Sequence, residues 1–226
     1  MKVLSIIIPC YNEERTIEKI LSKINNLQIP NWKKELVIVD DGSTDNTRNI
    51  LGNFKNDFKI IFHQKNKGKG TAVKTGIENS TGDYLIIQDA DLEYEPSEIL
   101  LLTEELEKNK SEVVFGSRNI HHIKRKGMYI PRAGVWFITK QFNILFGTQL
   151  TDLWTCYKLF PKESKHLFVS GKFESELIFS ALLIKNNFKI IEVPISHKPR
   201  TVKEGKKIKY RDGIRGIYEL IKVYFR

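Results

Sequence analysis

The chain is poor in cysteine: 226 residues contain two, Cys10 and Cys156. They lie far apart and fit no metal-ligand spacing, so reduced thiols in a cytosolic compartment are the reading, rather than a disulfide. No apolar run reaches the roughly 18 residues of a membrane-spanning helix. The opening VLSIII stretch meets Pro9 with no cleavage site and is too short for a secretory leader. Internal repeats, low-complexity tracts and Ser/Gly linkers are also missing. What is present is 41% hydrophobic and 28% charged residues. That composition and length suit one sizeable soluble α/β domain and are marginal for two.

The body has little excess charge of either sign. From Lys198 to Arg226 there are ten Lys/Arg against three Asp/Glu, whereas the preceding residues hold 27 against 24. Most of the net charge of +10 therefore sits in the tail. Such a tail suits an anionic surface, and a solvated basic helix is the competing reading. Ile214, Ile217, Tyr218, Ile221 and Phe225 recur at helical spacing among Arg211, Arg215, Lys222 and Arg226. An interfacial helix needs this mixture, and a helix packed on the domain is the alternative. Val135–Phe146 is a second apolar, aromatic stretch, either core or lipid-facing.

Strand-like runs occur at Val3–Pro9, Glu35–Asp41, Lys59–Gln64, Asp83–Asp89, Glu112–Ser117 and Phe188–Pro194. Helical patterns lie between several of them. Ile17, Ile20, Leu21, Ile24 and Leu27 share a face, Asp45–Phe54 begins with a capping pair, and Lys69–Asn79 follows a Gly-rich turn. Pro96 opens a further helix carrying Ile99, Leu102 and Leu106. This alternation predicts a mostly parallel sheet flanked by helices.

Four polar clusters fall at the carboxyl ends of the predicted strands, the edge where open α/β sheets bind ligands. Pro9-Cys10-Tyr11-Asn12-Glu13 follows the first. Asp40-Asp41-Gly42-Ser43 closes the second, as a turn and helix cap or as an acceptor for a ribose or base. Asn66-Lys67-Gly68-Lys69-Gly70 follows the third. It lacks the Walker spacing, yet offers backbone N–H groups and two lysines to a diphosphate. Asp89-Ala90-Asp91 closes the fourth. Residues i and i+2 of a strand point the same way, so the two carboxylates converge if the strand persists. Converging anions need a cation, and hard oxygens suit Mg²⁺ or Mn²⁺. Glu93 could add a third carboxylate. A polar strand end capping the next helix is the bland reading. Arg118 and Arg132 carry the planar fork that suits phosphate, or are plain surface arginines.

The blocks SIIIPCYNEE, VDDGSTDNT, NKGKGTAVKTG, GDYLIIQDADLEYEP and GSR resemble, in order, those of family 2 glycosyltransferases. More narrowly they resemble dolichyl- and polyprenyl-phosphate mannose and glucose synthases. The resemblance implies a GT-A (Rossmann-like) fold, an inverting mechanism and a divalent metal, Mg²⁺ or Mn²⁺. It places Pro9, Tyr11, Glu13, Asp40, Lys69, Gln88 and Ala90 at the nucleotide sugar. Asp89, Asp91 and Glu93 would meet the metal, with Glu93 where relatives often have Gln. Arg118, Arg132, Arg200 and Lys207 would meet phosphates, the last two in VPISHKPRTVKEGKKIKYRDG. Asp152 and Lys158, in TDLWTCYK, stand where relatives have Asp-x-x-Ser-Gly-Phe-Lys, with Cys156-Tyr157 replacing Gly-Phe. The Gln-x-x-Arg-Trp block of processive polysaccharide synthases does not occur.

The expectation is a GT-A domain over residues 1–197 and a basic amphipathic segment over 198–226, peripheral at the cytoplasmic face of a membrane. The expected partners are a nucleotide diphosphate sugar, a polyprenyl or dolichyl phosphate and an anionic bilayer. A phosphate acceptor is already ionised and needs positioning more than a base. A sugar-hydroxyl acceptor would need one, with Glu174 and Glu176 both open. A nucleic-acid-binding module fits poorly with the near-neutral body, and an inactive membrane scaffold with the intact acidic motif.

Overall fold

The computed structural model describes residues 1–109, 112–120, 129–200 and 210–225, with the side chains of 129–133 and 210–214 outside the description. β1 (Lys2–Cys10) is buried from Leu4 onward. A strand buried on both faces must be apolar throughout, as the Ile6-Ile7-Ile8 run is. β2 (Trp32–Asp40) and β4 (Tyr84–Ile87) flank it in parallel, and β3 (Lys59–Phe62) extends the sheet beyond β2. β5 (Val113–Ser117), β6 (Lys158–Pro161) and β7 (Ile190–Pro194) complete seven strands in the order β3-β2-β1-β4-β6-β5-β7. Only β6 runs against its neighbours β4 and β5.

The expected mostly parallel α/β sheet is present, with two differences. β6 was not anticipated. It has four residues, starts on a lysine and ends on Pro161, so no period-2 apolar pattern announces it. β4 stops at Ile87, two residues earlier than read from the sequence.

The helices α1 (Ile17–Asn26), α2 (Thr47–Gly52), α3 (Lys69–Glu78) and α4 (Ile99–Asn109) follow the first four strands. α1 buries Ile17, Ile20, Leu21 and Ile24, the stripe its sequence spaces at i, i+3, i+4 and i+7. Pro96 opens a short 3₁₀ turn ahead of α4. α5 (Tyr129–Phe146), α6 (Glu174–Lys185) and α7 (Tyr210–Phe225) follow. α7 packs on α6 through Leu220 and Val223, with Gly216 against Leu177 and Trp154. Its opposite face leaves Tyr218, Ile221 and Phe225 exposed. α7 is therefore packed on one side, as the packed-helix reading expects, and apolar to solvent on the other.

Candidate functional site

Because β1, β2 and β4 are parallel and in register, their last residues deliver the loops after them to one edge. The loops after β1 and β2 are stitched together. Asn12, at φ +53, donates its backbone N–H to Ser43 Oγ at 2.9 Å, and its Oδ1 accepts from Thr44 N–H at 2.8 Å. Glu13 N–H donates to Thr47 Oγ1 at 2.8 Å. Gly42, at φ +74, lies so close to the Lys65–Asn66 backbone that a Cβ there would sit 2.5 Å from Lys65 C. That position excludes side chains on both grounds.

The two aspartates of the second cluster do different work. Asp40 is fully buried, accepts from Ser43 N–H and pairs with Arg48 Nε at 3.0 Å. Asp41 lines the cleft and clamps the next loop, accepting from Lys67 N–H at 2.9 Å and Gly68 N–H at 2.8 Å. His63, which belongs to no motif in the chain, braces Asp41 through Nδ1 at 2.7 Å, with Thr75 Oγ1 on its other nitrogen. This chain fixes the turn that starts α3 and so aims Lys69.

Lys69 meets Asp89 at 2.7 Å and Glu176 at 2.9 Å. Burial opposes its charge, but Asp89, Cys156 and Glu176 together hold its pKa well above the usual lysine value. Asp89 is half-buried, and desolvation works against its charge, yet Lys69 keeps it below the usual carboxylate range. Lys158 is fully buried behind them, 3.6 Å from Glu176, and burial lowers its pKa. Gln88 does not line the cleft. It is buried beneath it, where its Oε1 accepts from Tyr157 O–H at 2.5 Å.

Asp89 and Asp91 are brought together by a turn rather than by strand alternation. Leu92 takes φ +63, and Asp91 Oδ1 accepts from Glu93 N–H at 3.1 Å. Burial, then repulsion from Asp89 and Glu93, pushes the Asp91 carboxyl up to about 7 against the pull of Arg200. Glu93, beyond the turn, is engaged by the 197–200 segment. Its carboxylate accepts from His197 Nε2 and from Arg200 N–H, each at 2.9 Å. Among the described residues no three His, Cys, Asp or Glu side chains form a ready-made metal cage. The donor set still fits Mg²⁺ or Mn²⁺, because Mg²⁺ commonly takes one or two carboxylates and completes its shell with water and substrate phosphate. Two crowded hard-oxygen ligands, one with a raised pKa, are what such an ion would relieve.

Arg118 lines the cleft from the far side. Asp152, fully buried, accepts from its Nε at 2.6 Å, its Nη2 at 2.8 Å and its backbone N–H at 3.0 Å. Glu192 in turn holds Asp152 N–H and Thr151 N–H. Arg118's charge keeps the Asp152 carboxyl depressed against the cost of burial. A depressed acid stabilises the fold above its unfolded pKa, about 4, and the contribution is lost as pH falls through the lower folded value. Asp152→Ala, which strands the Arg118 guanidinium, should cost about 3–5 kcal/mol. Urea unfolding at pH 7 measures it, and a cost under about 1 kcal/mol would contradict the pair's structural role.

Arg200 reaches across to Glu13 at 3.0 Å and to Asp91 at 3.0 Å. The cleft of about 400 Å³ thus joins Pro9, Tyr11, Glu13, Lys69, Asp89, Ala90, Asp91, Glu93, Arg118 and Arg200, along with Tyr94, Trp154 and Glu176, to which the sequence reading assigned no nucleotide or phosphate contact. Asp152 supports it from behind. The Arg132 side chain and Lys207 lie outside the described residues.

A mostly parallel sheet with this edge, an acidic turn after β4 and cationic groups around one cleft are the architecture of the GT-A fold. The chain belongs to glycosyl transferase family 2, whose family model matches residues 5–168. It is similar to the poly-beta-1,6-N-acetyl-D-glucosamine synthase of Staphylococcus epidermidis, 29% identical over 88% of this chain and 48% of that one. The dolichol-phosphate mannosyltransferase of Pyrococcus furiosus is 40% identical over 53% of this chain and 34% of its own. The dodecaprenyl-phosphate galacturonate synthase of Rhizobium johnstonii is 26% identical over 70% and 47%. The chain spans about half the length, or less, of these relatives. The glucosyl-3-phosphoglycerate synthase of Mycobacterium tuberculosis, solved with Mg²⁺ and uridine diphosphate, shares the fold at a TM-score of 0.75 and 18% identity, over 99% of this chain and 80% of that one.

Proposed function

We propose that this protein transfers a hexose from a nucleotide diphosphate sugar to a polyprenyl phosphate at an anionic membrane surface. One observation carries the choice of acceptor. Both glutamates that could serve a hydroxyl acceptor as base are held in ion pairs: Glu176 with Lys69 and Lys158, Glu174 with Arg215 at 3.0 Å. Arg118 is paired as well, with Asp152 behind it, but that pairing fixes it at the cleft wall as the cation a phosphate needs. An ionised phosphate needs alignment and charge neutralisation, which arginine supplies. The names of the mannosyltransferase and galacturonate synthase relatives support the same reading.

Asp89 and Asp91 would hold the metal, which when bound stabilises the diphosphate leaving group as charge develops on it. Glu13, Asp41 and the Lys67–Lys69 turn frame the nucleotide side. Asp40 and Gln88 contribute by holding the loops from beneath.

The membrane part rests on α5 and α7. Among the described residues no helix is long and apolar enough to cross a membrane. Yet α5 exposes Trp136, Phe137 and Ile144, and α7 exposes Tyr218, Ile221, Tyr224 and Phe225. Lys140 and Lys222 lie over the Trp136 and Tyr218 rings, at 5.1 Å and 4.2 Å. Exposed aromatics beside cations suit a headgroup layer.

The experiment is release of nucleoside diphosphate from a panel of nucleotide sugars with Mn²⁺, with and without polyprenyl phosphate. Stimulation by the lipid phosphate, with transfer little changed between pH 7 and 9, is the expected result. Stimulation by oligosaccharide alone, with a steep pH dependence, would replace this reading with a saccharide acceptor, as the poly-N-acetylglucosamine synthase relative uses in its name.

A further inference from the structure

The two arginines of the cleft are held in opposite ways. Arg118 is locked by three bonds to a single, fully buried carboxylate. Arg200 is held as a charge. Its Nη1 and Nη2 bond Glu13 at 3.0 and 3.1 Å, and Nη2 also bonds Asp91 at 3.0 Å. Its Nε is buried with no hydrogen-bond partner, 3.7 Å from Glu93. The backbone beneath it is secured separately. Glu93 accepts from Arg200 N–H and His197 through its carboxylate, and from Lys198 N–H through its carbonyl. The guanidinium can therefore leave Asp91 without the 197–200 segment detaching.

We propose that Arg200 is the resident counter-cation of the acidic turn, and that a divalent ion arriving with the donor exchanges with it at Asp91. Glu93 is then the tether of the segment that carries Arg200 rather than a ligand of the ion. This inference rests on the metal-dependent reading of the site. The physical basis is competition. One carboxylate cannot pair fully with both a guanidinium and a divalent ion, so binding of each weakens the other by the same factor. Released from Asp91, the guanidinium stays within reach of the cleft through Glu93 and Glu13, and becomes available to an anionic ligand.

The test is Mn²⁺ titration of the full chain without nucleotide, followed by the paramagnetic resonance of free Mn²⁺. Arg200→Gln should tighten Mn²⁺ binding by about 5-fold or more, the low end of a typical coupling between two sites. Arg200→Lys, which keeps a competing cation, should stay near the parent. Arg215→Gln removes an equal charge from the Glu174 pair and controls for the protein's overall field, so it should change the affinity less than Arg200→Gln. Glu93→Ala, which removes the side-chain oxygens that a glutamine would still offer a cation, should not weaken Mn²⁺ binding by more than about 2-fold, whereas losing one of a divalent ion's few protein ligands should weaken it clearly. Equal Mn²⁺ affinity in parent and Arg200→Gln, weaker binding in Arg200→Gln, or an equal gain in Arg215→Gln would overturn the exchange. A large loss in Glu93→Ala, with the melting temperature unchanged, would return Glu93 to the metal. If neither the parent nor Arg200→Gln binds Mn²⁺, with or without uridine or guanosine diphosphate, it is the metal-dependent reading itself that fails.

Discussion

Replacing Asp91 with asparagine should lower sugar transfer by about 100-fold or more while leaving the melting temperature unchanged or raised. The amide keeps the shape of the side chain and removes its charge. Removing one electrostatic contact to charge that develops in a transition state commonly costs 10²–10³-fold. The stability half of the expectation has a separate cause. Burial, then repulsion from Asp89 and Glu93, raises the Asp91 pKa to about 7 despite Arg200. Its surroundings on balance disfavour the charge, so a neutral isostere relieves them. Asp89→Asn should behave differently in stability, because Lys69 holds that carboxylate charged, and its removal leaves the ammonium short of a partner. Steady-state transfer assays beside thermal melts separate the two. Parent-level transfer by Asp91→Asn, or by the parent in EDTA, would remove the acidic turn from the chemistry. A clear drop in melting temperature for Asp91→Asn would make its contact with Arg200 a structural ion pair.

A second large effect is expected at the surface of α5 and α7. Truncation after Pro199, the simplest test of a basic tail, is a poor one here, since it uncovers the core that Leu220 and Val223 cover. Substituting exposed side chains avoids this. Trp136→Gln, Phe137→Gln, Tyr218→Gln and Phe225→Gln together should weaken partition onto anionic liposomes by at least about 100-fold. Fully burying one such side chain is worth about 1.5–3 kcal/mol. Even partial insertion of four gives the about 3 kcal/mol that a 100-fold change requires. Salt should act on the other part of the attraction. At 1 M the Debye length is about 3 Å, so the contribution of the basic residues is screened while the apolar contribution persists. Sedimentation with vesicles should therefore show binding by the parent that salt reduces and the substitutions nearly abolish. Hydrolysis of the donor in solution should survive, because Asp91 and its neighbours are untouched. If the parent ignores anionic vesicles, or the quadruple variant binds as it does, the exposed aromatics serve another purpose.

Where the sequence reading went astray, the reason is local. α6 shows no apolar stripe, because it is buried on nearly every side and carries Glu174, Ser175 and Glu176 inside. Amphipathic periodicity cannot reveal a helix that has no solvent face. β6 is too short for an alternation to register. The carboxylates of Asp89 and Asp91 were expected to share a strand face, but the strand ends at Ile87 and a left-handed residue makes the turn. Glu93 was read as a third carboxylate of the acidic site, direct or through water, and no sequence pattern announced the His197 and Arg200 partners it has here.

The sequence by itself determined the sheet and the edge where ligands meet it. Short β-branched runs such as Ile6-Ile7-Ile8 and Val37-Ile38-Val39, each ended by turn residues, read as interior strands, and the polar clusters that end them then fall on one rim. Those are consequences of local pattern, which a linear chain displays directly. Only the tertiary structure decided which charges are paired. Arg200 lies 109 residues from Asp91 and 187 from Glu13, and Asp152 lies 34 from Arg118. No spacing rule connects them. Whether a buried carboxylate holds a lysine, an arginine or a metal depends on what packing brings within about 4 Å, and at that distance in a low-dielectric interior the partner sets the charge state and the role.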